Sequence, residues 1–89
     1  MLGFIRALAL ETAGCGVTVN GISPGPIGTE LNRVVMDDPV ANAQFLANLP
    51  VGRWGKPEEV GALACFLASE QAGFITGTDI VIDGGWTAK

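Results

Sequence analysis

Apolar positions in the first ten residues recur at helical spacing. Four of them fall at i, i+3, i+4 and i+7: Met1, Phe4, Ile5 and Leu8. Other apolar residues fill most of the remaining positions, so the predicted helix is apolar nearly all round and should be covered on more than one side. Gly14 and Gly16 predict its end, because glycine readily takes the left-handed conformation found at helix ends.

Two short segments with high β propensity predict strands. Residues 17–22 read Val-Thr-Val-Asn-Gly-Ile and come before a Pro-Gly break, which is typical of a strand and its exit. Residues 80–82 are wholly apolar, as in a buried parallel sheet. The pair Asn20-Gly21 also permits a hairpin turn. The hairpin stays open as an alternative, although few residues remain before Pro24 for a return strand.

Helical signals fill the segment between the two predicted strands. After a loop over residues 24–28, Thr29 could cap a short helix that runs through Val35. Asp38, followed by Pro39, predicts the cap and first position of a second helix that ends near Asn48.

A third helix is predicted to open at Pro57, with Glu58 and Glu59 in its first turn, where carboxylates complement the helix dipole. Its apolar positions form one stripe that should be buried: Val60, Leu63, Ala64 and Leu67. The order of elements predicts one right-handed βαβ unit with a helix in front. Two strands are too few for an independent sheet.

Composition limits the classes of partner. The 89 residues allow one small domain, and an apolar content of 48% with a mean hydropathy of +0.41 suggests a piece of a larger core or an oligomer. A net charge of −4 with five scattered basic residues argues against nucleic acid. No apolar run predicts a membrane span. Zero histidines and two cysteines exclude the common zinc sites, and the cysteines are predicted to be reduced thiols of a cytoplasmic protein.

The pattern by itself predicts no catalytic site. Without histidine there is no Ser-His-Asp or Cys-His system. The acidic pairs Asp37-Asp38 and Glu58-Glu59 lie at predicted helix starts, and we interpret them as solvated or dipole-complementing charges. No residue is therefore assigned as catalytic or as a metal ligand.

Four motifs occur in one order along the chain: 20–29 (NGISPGPIGT), 52–60 (GRWGKPEEV), 75–77 (ITG) and 83–85 (DGG). In that order they resemble the C-terminal part of a short-chain dehydrogenase/reductase. The resemblance implies an α/β fold, the C-terminal part of a Rossmann-like doubly wound parallel sheet. Residues 1–89 would then be a single partial domain made of a helix, a strand, a helical lid with a crossover helix, and a final strand.

The resemblance also implies a binding site for the nicotinamide of NAD or NADP. Pro24, Gly25, Ile27 and Thr29 match the family loop that meets this ring. The Ile27 backbone and the Thr29 hydroxyl would bond the carboxamide, and Gly25 would allow close backbone approach. On pattern alone, Pro-Gly-Pro is only a tight turn and Thr29 only a helix cap.

The parent reaction implied by the family is hydride transfer between an alcohol and a carbonyl of a small molecule, with a tyrosine as the acid/base. The chain contains no tyrosine, and it lacks the family's catalytic serine, its Tyr-x-x-x-Lys motif and its glycine-rich pyrophosphate loop. Met1 would lie just downstream of Tyr-x-x-x-Lys. We expect a fragment that is inactive alone and forms homo-oligomers. The alternatives are a non-catalytic oligomerisation or interaction module, or a functionless truncated gene product.

Overall fold

The computed structural model describes all 89 residues. The helices and strands are α1 (Leu2–Thr12), β1 (Gly21–Pro24), α2 (Arg33–Met36), α3 (Pro39–Ala47), α4 (Pro57–Leu67) and β2 (Asp79–Ile82). Short 3₁₀ turns occupy residues 13–15, 30–32, 70–72 and 86–88. The predicted α/β order of helix, strand, helical lid, helix and strand is confirmed. None of these helices has both the length and the apolar character needed to cross a membrane.

The two strands form a parallel sheet. The Gly21 N–H donates to the Thr78 carbonyl at 2.9 Å, and the Gly25 N–H donates to the Ile82 carbonyl at 3.0 Å. Both partners advance along the chain in the same direction, which is the register of parallel strands. The prediction of a buried strand is correct in position only, because Val81 keeps 51% of its surface exposed.

The hairpin alternative at Asn20-Gly21 is wrong, and β1 begins four residues later than predicted, at Gly21. Asn20 forms no hairpin turn. Instead, its side chain bonds the segment before β2: the amide donates to the Ile75 carbonyl at 2.9 Å, and the oxygen accepts from the Thr78 N–H at 3.3 Å. A Cβ on Gly21 would lie 2.6 Å from the Ile5 side chain. The ends of the Ile5 and Asp79 side chains occupy this space and would have to shift for a larger residue.

The chain divides into two compact units, of which the first comprises residues 1–23 and 61–81. Its buried residues are Ile5, Ala9 and Ala72. Helix α1 therefore buries one face, while Phe4 and Leu10 remain 69% and 82% exposed. The expected cover on more than one side of α1 is absent from this unit. Cys15 and Cys65 are free thiols, as predicted.

Helix α4 starts at Pro57 as predicted, but its apolar stripe is only partly covered. Val60, Leu63 and Leu67 are half-buried, and Ala64 is exposed. The prediction of a buried stripe is thus wrong for Ala64. The helical spacing identified the side of the helix that packs, but the amount of cover depends on what lies against it.

The second unit comprises residues 24–60 and 82–89 and contains the lid helices. The Asp38 carboxylate accepts from the N–H groups of Val40 and Ala41 at 3.1 and 3.3 Å, which confirms the predicted cap of α3. The helix predicted after Thr29 is a 3₁₀ turn followed by the four residues of α2. Two lid helices were therefore anticipated and both form, but α2, without a side-chain cap, has only four residues, whereas the capped α3 has nine.

Three aromatic rings in the second unit form a stack that the sequence did not reveal. The Phe45 ring lies between the rings of Trp54, at a centroid distance of 4.7 Å, and Trp86, at 5.4 Å. The Lys89 ammonium lies 3.9 Å from the Trp86 ring centroid and donates to the Asn48 carbonyl at 2.6 Å. These contacts fasten the C-terminal turn to α3.

Candidate functional site

The loop after β1 lines an open groove of about 430 Å³ within the second unit. Its walls are formed by Pro24, Gly25, Ile27, Thr29, Asn32, Pro57 and Val60. All four residues singled out from the sequence therefore line one groove, with the first turn of α4 opposite the loop. No ionisable side chain lines it, so the groove suits a neutral group better than an anion.

Gly25 stands where the chain after β2 comes very close. Its N–H extends the sheet by bonding the Ile82 carbonyl. A Cβ at this position would lie 2.4 Å from the Asp83 Cβ and 2.7 Å from the Asp83 Cα, distances that real side chains do not tolerate. The family resemblance implies that Gly25 allows close approach of a ligand, and the approach of Asp83 is a second reason for glycine at this position.

The backbone around Ile27 is fixed by three partners. Gly55 bonds the residues on either side of Ile27. The Gly55 N–H donates to the Pro26 carbonyl at 2.9 Å, and the Gly55 carbonyl accepts from the Gly28 N–H at 2.8 Å. The Ile27 carbonyl accepts from the Thr29 N–H at 2.9 Å and from the Asn32 side-chain amide at 2.7 Å. The Ile27 N–H donates to no group of the chain.

Thr29 begins the 3₁₀ turn with extended backbone angles, φ −111° and ψ 171°, but its side chain makes no capping hydrogen bond. The capping explanation of Thr29 is therefore wrong. Its side chain is exposed and lines the groove. The hydroxyl can both donate and accept, so the loop offers one free hydroxyl, on Thr29, and one free donor, the Ile27 N–H.

Arg53 and Glu59 form an ion pair at the start of α4. The guanidinium makes two bonds to the carboxylate, at 2.8 and 3.0 Å, and the Lys56 N–H adds a third at 2.9 Å. The bond from Arg53, with the backbone bond from Lys56, lowers the pKa of Glu59 to about 2. A carboxylate held this way is a poor proton acceptor at neutral pH, which agrees with the interpretation of Glu59 as a helix-start charge.

Asp83 closes the turn that ends β2. Its carboxylate accepts from the Thr87 hydroxyl at 2.7 Å and from the N–H groups of Thr87 and Gly85 at 3.0 Å each. These bonds, the Thr87 hydroxyl first, lower the pKa of Asp83. Gly84 and Gly85 have φ values of 63° and 91°, where glycine is strongly favoured. The predicted turn is confirmed, and its carboxylate serves the turn itself.

Comparison with known proteins identifies the family of the chain. A family model described as enoyl-(acyl carrier protein) reductase matches residues 1–87. The chain belongs to this family of short-chain dehydrogenases/reductases. Among curated relatives, the acetoacetyl-CoA reductase of Shinella zoogloeoides is 50% identical to the chain over 84 residues. These residues are 94% of the chain and 34% of the relative.

Solved structures of dehydrogenases and reductases have the same fold over nearly all of the chain. A 4-hydroxyisoleucine dehydrogenase complexed with NADH matches 99% of the chain and 36% of its own length, with a TM-score of 0.90 and 38% identity. The RhlG–NADP active-site complex of Pseudomonas aeruginosa matches 96% of the chain and 34% of its own length, with a TM-score of 0.86 and 41% identity. The chain thus spans about a third of the length of these relatives.

Proposed function

We propose that these residues form the nicotinamide-facing part of an NAD(P)-dependent short-chain dehydrogenase/reductase and correspond to the C-terminal portion of the family fold. The whole protein would be cytoplasmic and would transfer hydride between an alcohol and a carbonyl of a small-molecule substrate. The order of the four sequence motifs supports the C-terminal assignment. The NADH and NADP bound in structural neighbours support the class of cofactor.

One observation carries the proposal: two residues that line a neutral groove each keep a polar group without a partner in the chain. The Ile27 N–H and the Thr29 hydroxyl are both without partners in the chain, and both residues line the groove. A nicotinamide carboxamide has one acceptor oxygen and one donor NH₂ group. The N–H would bond its oxygen, and the hydroxyl would accept from its NH₂.

When bound, the dinucleotide would give or accept hydride at its nicotinamide ring. The contribution of this chain is to orient that ring. Bonds from Ile27 and Thr29 would fix the carboxamide and therefore the ring plane, while Pro24 stiffens the exit from β1. Orientation of this kind converts binding into a favourable reaction geometry. Proton transfer requires the family's tyrosine, which these 89 residues do not contain.

A second function, association through an interaction surface, is favoured by the exposed apolar residues of the first unit. Phe4, Leu10 and Phe74 are 69%, 82% and 104% exposed, and apolar patches of this kind mark interfaces. The 89-residue chain should therefore form homo-oligomers or larger assemblies in sedimentation experiments. A compact monomer with a cooperative melting transition would contradict this.

A chimeric reductase tests the catalytic proposal. In it, the segment of the Shinella acetoacetyl-CoA reductase that matches 84 residues of this chain is replaced by those residues. We expect NAD(P)H-dependent reduction of a carbonyl substrate by the chimera and no turnover by the 89-residue chain alone. A folded chimera that binds neither NADH nor NADPH would refute the proposal. Cofactor-dependent turnover by the pure 89-residue chain would refute the claim that the catalytic groups lie outside these residues.

Within the chimera, Thr29→Val removes the hydroxyl and keeps the side-chain shape. Loss of one neutral hydrogen bond costs about 0.5–1.5 kcal/mol, or roughly threefold to tenfold in cofactor affinity. Stability should change little, because Thr29 makes no capping bond. Titration calorimetry gives the affinity and circular dichroism the melting temperature. Thr78→Val, at an exposed threonine outside the groove, is the matched control. Unchanged affinity with a lower melting temperature would assign Thr29 a structural role only.

A further inference from the structure

Asn32 joins the two residues on which the proposed cofactor site depends. It is the last residue of the 3₁₀ turn after Thr29, and no sequence motif drew attention to it. Its side-chain amide donates to the Ile27 carbonyl at 2.7 Å, and its backbone N–H donates to the Thr29 carbonyl at 3.0 Å. Asn32 is half-buried and itself lines the groove.

These bonds determine which polar groups the loop offers to a ligand. A carbonyl oxygen has two lone pairs, and the Ile27 carbonyl already accepts from Asn32 and from the Thr29 N–H. It is therefore saturated and cannot also accept from a carboxamide NH₂. The Ile27 N–H remains as the loop's donor, and the Thr29 hydroxyl remains as the acceptor.

We propose that Asn32 is a positioning residue for recognition of the nicotinamide carboxamide. Its side chain occupies the Ile27 carbonyl. Its bonds also set the spacing between the Ile27 N–H and the Thr29 hydroxyl, so that the two groups can bond the oxygen and the NH₂ of one primary amide. The proposal rests on the proposed function of the groove. Asn32 does not touch the reacting atoms. It acts through the backbone of Ile27 and Thr29.

The chemistry of the contact requires an amide. Asn32→Leu keeps much of the volume but removes the donor. Asn32→Asp keeps the shape and places an acceptor against the Ile27 carbonyl, which leaves two oxygens facing each other. Both variants should release the Ile27 carbonyl. Asn48→Asp is the matched control, because the Asn48 side chain donates to the Gln44 carbonyl on an exposed surface outside the groove.

The first arm of the test uses the folded chimeric reductase labelled with ¹⁵N, without cofactor. Hydrogen exchange of the backbone amides should become faster at Thr29 in both Asn32 variants, and the Ile27 resonance should shift, while Gly25, bonded to Ile82, should not change. The Asn48→Asp control should leave all three amides unchanged. Unaltered exchange at Thr29 in both variants would overturn the claim that Asn32 holds this backbone.

The second arm uses the chimeric reductase and two cofactors: NAD(P)H and its 3-acetylpyridine analogue, which keeps the carbonyl oxygen and lacks the NH₂ group. The original sequence should prefer the carboxamide by roughly threefold to tenfold, the worth of one hydrogen bond. In Asn32→Leu and Asn32→Asp this ratio of dissociation constants should change: it falls toward one if the Thr29 hydroxyl is displaced, and it rises if the released Ile27 carbonyl accepts from the NH₂ group. A purely structural role would weaken both cofactors equally and leave the ratio unchanged, which would overturn the proposal.

The two arms separate the possible failures. If the unsubstituted chimera binds no cofactor, the proposed function is wrong, whereas the exchange experiment still decides whether Asn32 holds Ile27 and Thr29. If the chimera binds cofactor and only the ratio is unchanged, the groove function stands and the role of Asn32 is refuted.

Discussion

The loop after β1 and the turn after β2 follow neighbouring strand ends in the same unit, yet they use their polar groups differently. In the turn, both oxygens of the Asp83 carboxylate accept hydrogen bonds, three in all, from Thr87 and Gly85. In the loop, the Ile27 N–H and the Thr29 hydroxyl have no partner in the chain. A satisfied polar group stabilises the fold, whereas an exposed unsatisfied pair at a groove is available to a ligand.

Glycine also has a different role in each segment. Gly84 and Gly85 take positive φ angles, so the turn needs glycine for its backbone conformation. Gly25 has no positive φ, but a Cβ there would overlap Asp83. Asp-Gly-Gly is therefore a conformational requirement, while Pro-Gly is a packing requirement that keeps the loop and the turn in contact.

Gly25→Ala should have the largest effect on stability, because the added Cβ would push the loop after β1 away from the turn after β2. With the new Cβ 2.4 Å from the Asp83 Cβ, we expect a loss of unfolding free energy of about 3 kcal/mol, at the upper end for overpacking. Chemical denaturation of the chimeric reductase measures it. Gly61→Ala is the control, since a Cβ there meets nothing within 4 Å, and it should not destabilise. A Gly25→Ala protein as stable as this control would contradict the packing argument.

Asp83→Asn should have the next largest effect and should act on stability. The pKa of Asp83 is lowered in the folded state, so its contribution to stability is present above the unfolded pKa of about 3.9 and is lost as the pH falls through the lower folded pKa. The variant should melt several degrees lower at pH 7, and the difference should shrink below pH ~4. A difference that stays constant with pH would mean that the charge of Asp83 is irrelevant to the turn.

Two matched threonine substitutions sharpen the comparison at smaller magnitude. Thr87→Val removes the 2.7 Å bond to Asp83, so the melting temperature should fall while cofactor affinity in the chimera holds. Thr29→Val should do the reverse. The melting temperature and the cofactor affinity are measured for both variants. If Thr29→Val lowers the melting temperature but not the affinity, then Thr29 in the loop serves stability, as Thr87 in the turn does, and the proposed difference between them is wrong.

Lys89→Met should have the smallest effect. It keeps an apolar chain over Trp86 but removes the cation and its bond to the Asn48 carbonyl. An exposed cation–π contact is worth about 0.5–1 kcal/mol, so unfolding monitored by tryptophan fluorescence should shift slightly. A loss as large as that of Gly25→Ala would show that the end of the chain, rather than the loop-to-turn contact, determines the stability of this unit.

Local signals in the sequence were sufficient for much of the fold. The cap at Asp38, the proline start of α4 and the Asp-Gly-Gly turn were each predicted and each observed, because they depend on residues within a few positions of one another. The motif order was also sufficient to assign the family and to select the residues that line the groove.

Contacts between distant residues could not be obtained in this way. Nothing near Gly25 in sequence indicates that Asp83 lies against it, and nothing near Thr29 indicates that its hydroxyl leaves the cap unused. The bond from Asn32 to the Ile27 carbonyl is local in sequence, but the backbone on both sides of Ile27 is held by the distant Gly55, through Pro26 and Gly28. The sequence by itself determined the order of the elements and the family, but not the bounds of β1 or the form of the segment after Thr29. The tertiary structure decided which polar groups remain free, because saturation of a donor or acceptor depends on every group that packing brings within hydrogen-bond distance.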